Sequence, residues 1–286
     1  MLINEFLLKL HLCPGIGMKT EYKMYQAMIM GPFKGDIGDL CLKTKLSELQ
    51  TNKIISNWYT SELDQQVERN QKFCQMITIF DKDYPVQLRE SYCPPLVMFF
   101  EGDRSLLQTK MLGVVGARKN TSYGRQCTNN IIPAAVEQKI TVVSGLAAGI
   151  DGLSHQAAIE AGGRTIGIIG TGLDLNYPSV NDELRFDMSR NQLVLTEYPL
   201  GSRPFRSHFP ERNRIIAGLC ETLLVVEAKE KSGSLITASL SLQENLNVCA
   251  IPGRIDAPMS AGCNQLILAG AKPVLCTEDL VEEFRN

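Results

Sequence analysis

The stretch from Leu112 to Asp151 limits what this chain can fold into more than any other. Leu112–Val115 is an apolar run too short for a helix and is closed by Gly116. Ile140–Val143 is β-branched and is closed by Ser144–Gly145. Between them Ser122–Gln138 has the length and spacing of a crossover helix, so the unit reads strand–helix–strand with parallel strands. Both closing loops then lie at the carboxyl edge of a sheet, where open α/β sheets bind ligands. Such loops turn backbone N–H groups and a positive helix end outward, which suits anions. The first loop adds Arg118, a guanidinium able to grip a phosphate with two bonds.

The rest of the chain is organised about this unit. Its 286 residues leave room for one large α/β domain and a small one. Residues 1–72 read as helical, with apolar spacing over Ile3–Leu10, Thr20–Met30, Leu46–Trp58 and Glu62–Phe73. The Pro-Gly-x-Gly turn within Leu12–Lys19 reads as a tight connection between two helices. The other use of such a turn is a helix–hairpin–helix that offers amides to a DNA phosphate. Gly31–Gly38 is a loop by its Gly/Pro content. Met76–Phe80 and Leu96–Phe100 read as outlying strands. Beyond them Asp151 is placed to cap a helix over Gly152–Ala161. Strands follow at Thr165–Ile169, Leu193–Leu195, Thr222–Val226 and Asn247–Ile251, with a helix at Leu235–Leu246 and a long loop over Thr196–Pro210. This alternation predicts a doubly wound, mainly parallel, Rossmann-like sheet over residues 73–286. Pro133 falls inside the crossover helix, where it costs roughly 3 kcal/mol and predicts a kink or break.

Several chemistries are excluded. No run reaches the ~18 apolar residues of a membrane span, and the N-terminus lacks a secretory signal. The nine cysteines are scattered without Cys-x-x-Cys spacing, which suits reduced thiols in a cytoplasm and no metal. Gly170-x-Gly172 is followed by Leu175 where a dinucleotide fingerprint needs a third glycine, and no P-loop occurs. There is no Gly-x-Ser-x-Gly elbow, and His11, His155 and His208 lack an evident nucleophile partner. No catalytic residue, cofactor or metal is expected. A local basic segment does stand out at net charge −2: Gly201–Arg214 interleaves Arg203, Arg206, Arg212 and Arg214 with Phe205, His208 and Phe209. Arginines grip phosphates and aromatic faces stack on bases, the ingredients of sequence-tolerant single-strand binding. The bland alternative is a solvated loop with ion pairs to Glu211 and Glu183.

Val115–Arg118, Ser144–Asp151, Gly172–Pro178, Thr196–Pro199, Phe209–Gly218, Glu227–Ala238 and Ile251–Gly253 resemble, in order, the motifs of the DNA-processing protein A (DprA, or Smf) family. The resemblance runs from about Met76 to Phe284 and implies an extended Rossmann domain that binds single-stranded DNA. It also implies a homodimer that loads the RecA recombinase during natural transformation, and a sterile-alpha-motif-like helical domain over residues 1–72. By position, Arg118 is the expected phosphate contact, with Gly116 and Lys119 beside it. Gly145, Leu146, Ala147 and Gly149 would lend amides, Arg212, Asn213 and Arg214 would flank the pocket, and Ser232, Gly233, Ser234 and Thr237 would form its far wall. Ser179 and Val180 stand where many relatives carry a basic residue, and the winged-helix domain of many relatives has no counterpart before Asn286. The dimer face is expected within Leu266–Val281. The competing class is a nucleoside-monophosphate phosphoribohydrolase, whose Pro-Gly-Gly-x-Gly-Thr contrasts with Lys231–Thr237 here. A scaffold with a vestigial pocket is the third.

Overall fold

The computed structural model describes residues 2–33 and 35–285. Five helices come first: α1 (Ile3–Leu12), α2 (Met18–Ile29), α3 (Ile37–Lys43), α4 (Glu48–Trp58) and α5 (Ser61–Phe73). Helix α3 was not anticipated; it starts because Asp36 closes the preceding loop as an N-cap, accepting from the Asp39 amide at 2.6 Å. The α1–α2 connection is a tight turn in which Gly15 takes φ +100°, a conformation L side chains avoid. The apolar faces converge on Phe6, Leu10, Met24, Leu40, Ile54 and Trp58, all buried. Phe6 holds that cluster together, its ring 4.7 Å from Phe33 and 5.0 Å from Trp58.

The remaining chain forms one sheet from β1 (Gln75–Thr78), β2 (Val97–Gly102), β3 (Met111–Val115), β4 (Thr141–Ser144), β5 (Thr165–Ile169), β6 (Leu193–Thr196), β7 (Thr222–Val225), β8 (Asn247–Ala250) and β9 (Lys272–Pro273). Their order is β1-β2-β6-β5-β4-β3-β7-β8-β9. Only β1–β2 and β2–β6 run antiparallel; the other pairs are parallel. Helices α6 (Val86–Glu90), α7 (Ser122–Glu137), α8 (Ile150–Glu160) and α9 (Asp182–Asn191) lie between the earlier strands. Later come α10 (His208–Leu219), α11 (Gly233–Gln243), α12 (Ala261–Leu268) and α13 (Thr277–Val281). Successive strand residues alternate between faces. Leu112, Val114, Val142 and Leu224 pack with Ile132, Ala158 and Leu280 of α7, α8 and α13. Met111, Val115, Val143 and Val225 join the opposite core with Ile215 and Ile216 of α10. Burial on both faces is why these strands read as unbroken apolar runs.

Three further details depart from the sequence reading. Helix α7 runs unbroken through Pro133 to Glu137. Helix α10 starts inside the stretch expected to be loop, and α9 was not anticipated. The chain steps from β3 outward to β4, β5 and β6, then returns to the other side of β3 with β7, β8 and β9. The reversal opens a crevice at the carboxyl ends of β3 and β7, the place where doubly wound sheets take ligands.

The helical segment docks on the α10 face through a buried polar junction. His11 meets the Glu21 carboxylate through Nδ1 at 3.0 Å and the Glu197 carbonyl through Nε2 at 2.7 Å. Two acceptors for two ring nitrogens favour the imidazolium. Burial opposes that charge, but Glu21 and Glu197 outweigh it and raise His11 to about 9. A pKa raised on folding stabilises fully below the ordinary value of 6.5, and the contribution fades as pH rises through about 9. Thermal unfolding at pH 6 and pH 9.5 reads this: Tm falls across the interval, and His11→Gln, which cannot titrate, makes the fall smaller.

Candidate nucleic-acid interface

The crevice widens into a cavity of about 610 Å³. Its near wall is the turn after β3, its far wall the start of α11, and its roof Tyr177 with Arg206 and Phe209. Gly116 allows the near wall to exist: a Cβ there would stand 2.6 Å from the Ile150 side chain of α8. Arg118 projects from this turn, exposed, with its guanidinium 5.1 Å from the centre of the Phe209 ring. The Tyr177 ring lies 5.7 Å from Phe209. A cation and two aromatic faces therefore border one opening, a combination that suits phosphates and stacked bases.

The electrostatics below this opening are less simple than glycine loops suggest. Three helices follow β3, β4 and β7, and each could aim a positive end at a ligand. The start of α7 is occupied by the buried Glu227 carboxylate, which accepts from the Thr121 amide at 2.8 Å and the Thr121 hydroxyl at 2.5 Å. The loop before α8 is occupied by Asp151, which accepts from the Gly145 amide at 3.2 Å and from the Ala147 amide. Asp151 thus caps the turn preceding its helix rather than the helix itself, whose N-cap is Gly149. Burial raises its carboxyl pKa, against the pull of Arg212, the two amides and Arg118. The start of α11 has no side-chain cap, and Ser232, Gly233, Ser234 and Thr237 face the cavity there.

The expected site residues accordingly separate. Gly116, Arg118, Ala147, Arg212, Asn213, Ser232, Gly233, Ser234 and Thr237 line the cavity. Gly145 lines a smaller adjoining hollow, but its amide is taken by Asp151. Leu146 does not face the cavity; at φ +53° it turns its buried side chain against Gly167 under the sheet edge. Gly149 is likewise a packing requirement, since a Cβ would fall 2.2 Å from the Ala117 carbonyl. Lys119 is exposed outside the lining residues.

Helix α10 explains the largest corrections. Arg212 is buried, and its guanidinium donates to the Gly145 and Ile168 carbonyls and, through Nε, to Asn213 Oδ1 at 3.1 Å. Burial lowers its pKa to about 10, partly offset by Asp151. Arg214 is outside the cavity altogether: it pairs with Glu197 at 2.5 Å, both side chains nearly buried, and its Nε lies 3.0 Å from Met18 Sδ of α2. A loop would have left these side chains free; a helix fixes them inward. Arg118, Arg203 and Arg206, by contrast, are exposed, and among the described residues no ion pair engages them. Glu211 instead accepts from the Tyr198 hydroxyl at 2.9 Å. His155 is fully buried against Thr165 at 2.6 Å, and burial with Arg212 nearby pushes it down to about 3. Among the described residues no cluster could hold a metal, and no helix is long and apolar enough to cross a membrane. Tyr177 sits within a motif visible in the sequence, yet nothing there placed it opposite Phe209.

The family model described as DNA recombination-mediator protein A matches residues 75–285. The DNA processing protein DprA of Bacillus subtilis is 45% identical over 209 residues, 73% of this chain and 70% of that protein. DprA of Streptococcus pneumoniae is 44% identical over 207 residues, 72% of this chain and 73% of that one. The solved S. pneumoniae structure superposes with TM-score 0.91 at 34% identity, covering 99% of this chain and 98% of that one. A Helicobacter pylori DNA processing protein A structure, described for its single-stranded DNA binding mode, gives TM-score 0.66 at 26% identity over 74% and 95% of the two chains.

The two classes of arginine are separable by stability. Arg214→Ala leaves Glu197 buried without its partner and costs about 3–5 kcal/mol, whereas Arg118→Ala changes stability by no more than about 0.5 kcal/mol. Urea unfolding midpoints measure both.

Proposed function

Because the chain belongs to the DNA recombination-mediator protein A family, we propose that its cavity binds single-stranded DNA and that the protein hands such strands to the RecA recombinase during natural transformation. One observation carries the reading: the exposed Arg118 guanidinium stands over Phe209 beside the uncapped start of α11. In this reading a backbone phosphate meets Arg118 and the α11 amides, with Ser232, Gly233, Ser234 and Thr237 around them. Phe209 and Tyr177 offer faces to bases of any sequence, and Arg206 extends the track. Gly116, Ala147 and Asn213 shape the floor. The role is non-enzymatic and cytoplasmic, with residues 1–72 and 73–286 as helical and DNA-binding units. The similarity to a protein described for single-stranded DNA binding supports it.

The protein acts as a homodimer in this reading, with a face within Leu266–Val281. Leu268 and Leu275, 90% and 77% exposed, support that placement. A dimer holds one strand across two cavities and gains through effective concentration.

Gel-shift titration of oligothymidine against duplex at two salt concentrations tests the binding. The expected result is a preference for the single strand, with log affinity falling by roughly 0.7 per neutralised phosphate for each tenfold rise in salt. Arg118→Ala weakens binding of all sequences alike and makes that slope shallower by about one phosphate. Failure to retain the strand at low salt, or a thermal shift with AMP in its place, overturns the reading. Leu268→Glu with Leu275→Glu yields a monomer by sedimentation. Its affinity drops for long oligonucleotides and not for those short enough to fill one cavity.

A further inference from the structure

Asn181 stands at the N-cap of α9, where an asparagine side chain ordinarily accepts from the first helical amides. It makes no such bond here. Its amide nitrogen instead reaches the turn after β4, donating to the Leu146 carbonyl at 3.0 Å and the Ala147 carbonyl at 2.9 Å. Carbonyl oxygens only accept, so the orientation of the amide is set by its partners. The turn it holds is one that needs holding. Leu146 sits at φ +53°, a conformation that costs an L residue energy and persists where its surroundings over-determine it. The third contact is with α8: at Gly152 a Cβ would lie 3.0 Å from both amide atoms of Asn181.

We propose that Asn181 is a positioning residue for strand binding, an inference that rests on the single-strand reading of the cavity. Asn181 does not itself line the cavity. It joins two of the walls: Ala147 lies on the turn it holds, and Tyr177, which faces Phe209, lies four residues before it on its own segment. The same turn carries the Gly145 carbonyl that anchors Arg212 and the amides that hold Asp151. Releasing Leu146 therefore loosens the floor under both charged groups while every phosphate contact stays in place.

The test compares Asn181→Ala and Asn181→Asp with wild type and Arg118→Ala in oligothymidine titrations at several salt concentrations, with amide hydrogen exchange on the free proteins. Asn181→Ala removes two hydrogen bonds to half-buried carbonyls, and affinity falls by about tenfold. Asn181→Asp keeps the shape but sets a carboxylate against two carbonyl oxygens, and falls further. The salt slope stays at the wild-type value in both, unlike Arg118→Ala, and exchange quickens at residues 145–149 while both variants remain folded under the titration conditions. Affinity within twofold of wild type for Asn181→Ala overturns the proposal. So does a shallower slope, which makes Asn181 a direct phosphate contact, or a loss that tracks the unfolded fraction, which makes its role one of global folding. If wild type itself ignores the strand, the single-strand reading fails, and the exchange data still report whether Asn181 holds the turn.

Discussion

A guanidinium buried under the carboxyl edge of the sheet underlies the site. Arg212 comes from α10, yet its donors are spent on carbonyls of Gly145, after β4, and Ile168, within β5. It thereby ties a helix on one face to two strand ends. Taking such a charge from water is costly unless a counter-charge and several acceptors come with it. Asp151 supplies the counter-charge, and its own oxygens take the amides of the neighbouring turn. The pair is nearly neutral to the outside, so the visible charge of the opening comes from Arg118 and Arg206 above it.

That arrangement changes how the glycine loops are understood. Parallel sheets bring several helix N-termini to one edge, and each is a potential anion site. Here the protein's own carboxylates already occupy two of these places, Glu227 at the start of α7 and Asp151 in the turn ahead of α8. The start of α11 has no such side-chain cap. The loops nearest the conspicuous glycine motifs serve to build the walls. Gly116, Gly124 and Gly149 are each crowded to under 3 Å at the position a Cβ would take. The ligand-facing surface is correspondingly shared among a turn, a helix start and two aromatic rings from distant segments.

Helix α10 also carries the junction to the helical segment. Arg214, one half-turn beyond Arg212, pairs with Glu197, whose carbonyl receives His11, and His11 in turn meets Glu21 of α2. The cavity and the docked helices thus share one rigid element, and the sheet-face core continues without interruption into the helical core.

Much of this was legible in the residues. Short apolar runs closed by glycines at Gly116 and Gly145 determined the parallel units, because burial on both faces leaves no other use for such strands. The placement of Arg118 at a sheet edge followed from the same logic. The roles of Arg212, Arg214, Asp151 and Leu146 did not, since each depends on which way a side chain points. A run of arginines reads alike in a loop and a helix, and the helical phase of α10 sends two of them into the interior. Asp151 reads as a helix cap because only the folded turn ahead of α8 shows its carboxylate reaching back six residues to the Gly145 amide. Local sequence determines which elements form and where their ends fall. Only the packed fold decides which of the polar groups gathered at those ends are spent on one another and which stay open to a ligand, because that balance depends on desolvation and on partners far apart in the chain.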